Sequence, residues 1–218
     1  MKLLDISHYQ NQAGKIDWNK VSKTEYKACF VKCTEGIGWK DTFYQTNKEE
    51  VRKAGLLFGA YHFARMNDPV KEAKYFCDNV GDLQAGEIVI LDFEVNGTVD
   101  WCFKWLKEVE RILGFKPMLY TNEARVKGMD WKTVVANNTG LWVAKYASQA
   151  IYVPDYLQRS PVSGQWPFWA IWQYSSRASV SGIVGNVDVN VTKMSIETLK
   201  KYGKKVECLH CKVHCPVI

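Results

Sequence analysis

The chain has 218 residues, with 29 Lys and Arg against 23 Asp and Glu, for a formal net charge of +6. At 47% hydrophobic and 24% charged it excludes a disordered or fibrous chain, and the length suits one barrel or sandwich with a sizeable core. The mild positive balance favours anionic surfaces, but there is no basic stripe with interleaved aromatics and no apolar run of the roughly 20 residues that span a bilayer, so neither a nucleic-acid partner nor membrane insertion is expected.

Short β-rich runs alternate with amphipathic helical segments. Leu3–Tyr9 reads as a strand, followed by a short helix around Asp17–Lys23 and a strand over Tyr26–Cys33 that ends at Glu35-Gly36. Thr42–Ala54 reads as a helix with Gly55 at its exit, and Leu56–Phe63 as a strand. Asp68-Pro69 opens a helix to Val80, since Pro suits a first helical turn. Glu87–Phe93 is a nearly unbroken apolar strand of the kind buried on both faces. A helix over Thr98–Leu113, stopped by Gly114, and a strand over Lys116–Tyr120 complete this half. The alternation predicts a parallel sheet or barrel. After Gly140 the texture changes. Leu141–Tyr146, Phe168–Tyr174 and Val187–Val191 read as strands with little helix between them, Ser160–Pro167 as loop and Gly182–Asn186 as a turn. The fold class is therefore α/β, a TIM-like (β/α) barrel over residues 1–192, with 193–218 as a C-terminal segment of no recognised domain.

The chemistry concentrates in Leu91-Asp92-Phe93-Glu94. Residues two apart on a strand share a face, so Asp92 and Glu94 sit together at the C-terminal end of a buried strand, where barrel enzymes place their active sites. Repulsion and partial burial raise the pKa of at least one of them, giving a proton donor for near-neutral pH. A solvated strand end paired with lysines is the plainer alternative. Asp5 and Asp188 also interrupt apolar runs, and an acid there needs a reason for its burial. His8 and His62 lack a nucleophile elbow or metal spacing and read as structural. The nine Trp and eleven Tyr suit a protein whose rings stack on ligand faces as well as fill a core.

Asp5-Ile6-Ser7-His8-Tyr9-Gln10, Phe30–Gly36, Gly59-Ala60-Tyr61-His62-Phe63, Leu91–Glu94 and Trp169–Tyr174 together resemble the ordered signatures of family 25 of the glycoside hydrolases, the Chalaropsis-type lysozymes, which include many phage endolysins. Cys33 stands where the family favours a small residue, without bearing on the chemistry. The resemblance implies a flattened barrel with about five helices and partly antiparallel last strands. It implies cleavage of the β-1,4 bond between N-acetylmuramic acid and N-acetylglucosamine in bacterial peptidoglycan. Glu94 takes the place of the general acid, Asp92 of the charge-stabilising carboxylate, and Asp5 and Asp188 of supporting carboxylates. A carboxylate nucleophile and the substrate's own N-acetyl group both remain open as routes. Tyr61 and Tyr120 match positions lining the sugar cleft, with Trp142 and Trp172 as further walls. Lys32 and Gln173, polar within apolar strands, bond substrate, or Lys32 neutralises the carboxylates. No cofactor and no metal are implied. An inactive wall-binding barrel, or a hydrolase of a related glycan such as chitin, is the competing reading.

Met1-Lys2-Leu3-Leu4 runs straight into Asp5 without the apolar core of a signal peptide, which predicts a cytoplasmic chain that acts on the wall after release, through a holin pore if phage-encoded. Cys29, Cys33, Cys77 and Cys102 lie in apolar runs as small hydrophobes, so the chain is expected to fold reduced. Cys208, Cys211 and Cys215, with His210 and His214, supply zinc-type ligands but only one short knuckle, where a tetrahedral site normally draws on two. Deletion of Glu207–Ile218 is therefore expected to leave hydrolysis of soluble wall fragments unchanged. A several-fold loss of rate, or a change of mass by light scattering, would show that the tail belongs to the working protein.

Overall fold

The computed structural model describes residues 1–146 and 160–205, so the cysteine-rich tail lies outside the described residues. Strands β1 (Lys2–Ile6), β2 (Tyr26–Glu35), β3 (Trp39–Lys40), β4 (Leu57–Phe63), β5 (Ile88–Asp92), β6 (Met118–Asn122), β7 (Leu141–Ala144), β8 (Ile171–Ala178) and β9 (Val187–Val191) form one sheet. Its order is β1-β9-β8-β7-β6-β5-β4-β2-β3, and β1 also pairs with β2, which closes a barrel and leaves β3 as a short hairpin arm on β2. Apart from the antiparallel β2–β3 arm, the pairings among β1 to β8 are parallel, whereas β9 runs antiparallel to both neighbours. The TIM-like fold with partly antiparallel last strands is as expected.

Helices α1 (His8–Ala13), α2 (Trp18–Val21), α3 (Tyr44–Lys53), α4 (Pro69–Val80), α5 (Val99–Leu113), α6 (Glu123–Gly128) and α7 (Lys132–Ala136) flank the barrel, and α8 (Ile196–Leu199) follows β9. Among the described residues only α3, α4 and α5, with 10, 12 and 15 residues, are long. Asp68 and Thr98 cap α4 and α5, and Gly114 ends α5 in the left-handed conformation, as their sequence signals predict. The first strand is shorter than Leu3–Tyr9. Ser7 and Gln10 form a capping box that starts α1, and that signal outweighs the apolar pattern.

Strand alternation sorts side chains into two cores. Leu4, Cys29, Val31, Val89, Leu91, Leu119, Val143 and Trp172 face the helices, while Leu3, Phe30, Ile88, Ile90, Met118 and Ile171 fill the barrel. Phe30 reaches the centre because Gly59 has no Cβ; one built there would collide with its ring. Leu199 is fully buried in the inner core, with Met194 and Tyr202 packed beside it. Lys204 pairs its backbone with Gly86 and Glu87 at the start of β5. The stretch 193–205 thus stoppers the barrel at the N-terminal ends of its parallel strands, and the boundary drawn after 192 falls inside the packed unit. Leu199→Ala should lose about 2–5 kcal/mol, as buried Leu truncations do, read as a lower melting temperature. An unchanged melt would show that the stopper does not support the barrel.

Candidate active site

The upper ends of the inner faces are polar. Asp92 is the last residue of β5 and points inward with Ile88 and Ile90. One more backbone bond, Phe93 N–H to Tyr120 O at 2.9 Å, carries the chain past the sheet edge. Phe93 is driven into the outer core, stacked on Trp101 at 5.9 Å. That turns Glu94 back over the barrel mouth. The strand β9 brings Asp188 directly across from Asp5 because it runs antiparallel beside β1. Asp5, Asp92, Glu94 and Asp188 all line one cleft of about 220 Å³, with Tyr61, Tyr120, Trp142, Lys32 and Gln173.

Asp5 is buried and held by amides. Gln173 Nε2 donates to its two oxygens at 3.0 and 3.2 Å, and Asn190 Nδ2 donates to Oδ2 at 2.7 Å. The orientations of both amides are fixed by their other partners. Trp142 Nε1, which can only donate, reaches Asn190 Oδ1 at 2.8 Å, and the hydroxyls of Tyr120 and Tyr146 donate to Gln173 Oε1 at 2.7 and 3.0 Å. Burial, then Asp188 opposite, push the Asp5 carboxyl well above the usual range, while the two amides pull it back.

Asp92 is the outlier. Among the described residues, its buried Oδ1 has no hydrogen-bond partner. Burial raises its carboxyl well above the usual range, Glu94 adds to this, and the Lys32 ammonium opposes it. Lys32 is itself engaged: its Nζ lies 2.6 Å from Glu35 Oε2, between the rings of Trp39 and Phe63 at 4.9 and 5.0 Å. Glu35 also accepts from Arg65 Nε at 2.6 Å. Glu94 is exposed at the mouth, yet the flanking walls still raise its carboxyl by desolvation, against Arg125. Asp188 is pushed up to about 6 by burial and by Glu94.

Nine of the ten residues picked out in the sequence meet in this cleft. The exception is Trp172, which lies in the outer core beside Trp169 and Tyr174 and donates to Lys145 O at 2.8 Å. Neighbours on a strand face opposite ways, so with Gln173 inside, Trp172 has to be outside. His8 pairs with Asp41 at 3.1 Å. His62 is fully buried, its pKa lowered by that burial, so the neutral ring donates from Nε2 to Glu72 at 2.9 Å and accepts the Thr34 hydroxyl at 2.8 Å. Neither lines the cleft. The sequence reading missed Asn190 and Tyr146. Asn190 was within reach, because it lies two residues after Asp188 in Val187-Asp188-Val189-Asn190-Val191 and shares its face. The position of Tyr146, beyond the end of β7, carries no such signal. Two larger hollows, about 550 and 630 Å³, lie at the stoppered end and gather no cluster of carboxylates. No group of three or more potential metal ligands occurs among the described residues.

The sequence profile of Glycosyl hydrolases family 25 matches residues 4–183. The chain belongs to that family. It is 30% identical over 201 residues to Lysozyme M1 of Streptomyces globisporus, an alignment covering 86% of this chain and 66% of that one. Among solved structures, the bacterial lysozyme from Streptomyces coelicolor superposes with a TM-score of 0.75 at 26% identity, covering 93% of this chain and 96% of that one. The CTP1L endolysin gives 0.74 at 26% identity, over 92% of this chain and 69% of that one. The profile match thus runs from β1 into the turn before β9, and the structural match covers nearly all of the chain.

A carboxyl whose folded-state pKa is raised binds its proton more tightly in the folded chain. Folding therefore loses stability as pH rises from the ordinary carboxylate range toward the folded value, and the loss persists above it. Asp92→Asn removes that penalty. The variant should melt higher than wild type at neutral pH, by about 2–4 °C for each 1 kcal/mol relieved, with the gain fading below about pH 4, where the unfolded carboxyl is itself protonated. A melt at pH 7 equal to or below wild type would remove Asp92 as the strained member of the cluster.

Proposed function

We propose that this family-25 glycoside hydrolase is an N-acetylmuramidase that cleaves the β-1,4 bond between N-acetylmuramic acid and N-acetylglucosamine in bacterial peptidoglycan. One observation carries the reading: four carboxyls converge on one cleft in four different settings. Environments that push carboxyl pKa values apart are how acid and base roles are divided at one pH.

Glu94 sits at the mouth with its carboxyl raised, so it holds a proton for the departing sugar oxygen. Asp92 lies deeper, and its buried Oδ1 has no hydrogen-bond partner among the described residues; when ionised it faces the positive charge that develops at the reacting carbon, and a preorganised charge in such a site is a large catalytic contribution. Asp5, held by Gln173 and Asn190, and Asp188 across from it keep the cluster's charge and orient its members. Tyr61, the partly exposed ring, faces the sugar, while Tyr120 and Trp142 are buried behind the cleft and hold Gln173 and Asn190. Lys32, tied to Glu35, moderates the charge beside Asp92. The working setting is the bacterial wall, reached from the cytoplasm through a holin-type pore if the chain serves a phage; likeness to the CTP1L endolysin supports that setting.

The test is the reducing-end sugar released from purified peptidoglycan, identified by mass spectrometry. Muramic acid at the new reducing end is expected, and glucosamine there would overturn the muramidase reading. Glu94→Gln keeps the shape of an exposed side chain and removes its proton, so a folded variant should lose about 10²–10⁴-fold in rate. Near-normal hydrolysis by that variant would end the assignment of Glu94 as acid.

A further inference from the structure

The general acid is not on a strand. Glu94 stands on the turn between β5 and α5, exposed at the mouth, where side-chain packing alone fixes little. What holds the turn comes from the next unit of the barrel. Asn122, the last residue of β6, caps α6 by accepting from Arg125 N at 3.0 Å, and Trp131 Nε1 donates to Arg125 O at 2.9 Å, so the backbone of Arg125 is fixed on both sides. From that base its guanidinium reaches the turn. Nη2 donates to the main-chain carbonyl of Glu94 at 3.0 Å and to Asn96 Oδ1 at 3.3 Å, and Cζ lies 5.5 Å from the centroid of the Phe93 ring. Three of the four residues from 93 to 96 are touched by one side chain. Arg125 itself does not line the cleft.

We propose that Arg125 is a positioning residue for Glu94, tying the turn that carries the acid to α6 and so fixing where the carboxyl lies over the cleft. This rests on the reading of Glu94 as general acid. A planar guanidinium suits the task, because one fork bonds a carbonyl and an amide oxygen while its face lies on an aromatic ring. The same group supplies charge. The groups that face Glu94 are otherwise acids and phenols: Asp92 at the end of its own strand, Asp5 on β1, Asp188 on β9, Tyr120 on β6 and Tyr146 beyond β7. Lys32 on β2 opposes the raised pKa of Asp92, whereas Arg125 opposes that of Glu94. Each of the two central carboxyls thus has its own cation, one from β2 and one from the helix after β6, on either side of β5 in the sheet order. Arg125 favours the ionised form of Glu94, so its removal should let the acid keep its proton to higher pH while leaving the carboxyl less well placed.

Those two effects have opposite signs, which separates positioning from a merely structural role. Arg125→Gln and Arg125→Lys would be compared with wild type in the full chain by thermal melting and by kcat and KM on soluble peptidoglycan fragments across pH, with Glu94→Gln as control. Expected for Arg125→Gln is a fall in kcat of about tenfold or more, since misplacement by an ångström can cost 10²-fold. KM should change little, and the alkaline limb of the kcat profile should move up by about half a unit or more. Arg125→Lys should keep the limb at its wild-type position and recover part of the rate. A folded Arg125→Gln with wild-type kcat, or with an unmoved limb, overturns the proposal. If that variant does not fold, Arg125→Lys decides: reduced kcat at an unmoved limb supports the tie, and full kcat overturns it. An active Glu94→Gln would remove the reading of the acid and the proposal with it; an inactive Glu94→Gln beside a normal Arg125→Gln removes the proposal alone.

Discussion

Two carboxylates face each other across the β1–β9 pairing, Asp5 opposite Asp188, and much of the cleft is arranged around that repulsion. Like charges directly opposite on neighbouring strands are destabilising. The pair is tolerated because Asp5 accepts from two amides whose own acceptor atoms are occupied by Trp142, Tyr120 and Tyr146. A satisfied network of this kind is rigid. The same chain of bonds spans β1, β6, β7, β8 and β9, so the site and the closure of the barrel share their fastenings. The antiparallel β9 is what allows this. Run parallel, its acid and its amide would stand in the reverse order along the barrel, and the amide would no longer lie beneath the acid.

The cleft also stores unfavourable electrostatics where the chemistry needs it. Asp5 has its amides, and Lys32 has Glu35 and two rings, but one buried oxygen of Asp92 has no partner among the described residues. Burial makes that carboxyl reluctant to ionise, and a positive charge beside it favours the ionised form. Stability is lower than the same barrel would have with neutral residues there, a common relation between active sites and folds. The burial of apolar side chains in the inner core below, around Phe30, Ile88 and Ile90, supports that local penalty.

Much of this was legible in the chain because a strand writes its two faces in alternate letters. Asp92 with Ile88 and Ile90, and Asp188 between Val187 and Val189, announce an inward polar layer above an apolar one. The same rule, applied strictly, separates Trp172 from Gln173 and adds Asn190 to Asp188. What was hidden depends on partners distant in sequence or on short-range competition. Ser7 and Gln10 convert the end of the first apolar run into helix α1. The brief helices α6 and α7 carry too few turns for a periodic signal. The contact from Arg125 to the turn at Glu94 crosses two elements, and nothing near position 125 points to it. The role of 193–205 was equally invisible, since a four-residue helix that seals a barrel looks like any short amphipathic end.

That seal gives the molecule a polarity along the barrel axis. The catalytic mouth opens at one pole, and the chain passes through Lys204, bonded to Gly86 and Glu87, at the other. Anything attached after residue 205 therefore starts from the pole facing away from the glycan being cut. A wall-binding module grafted there would hold the barrel like a hand behind a blade, and its linker would have to run the length of the barrel before the module could share a glycan strand with the cleft.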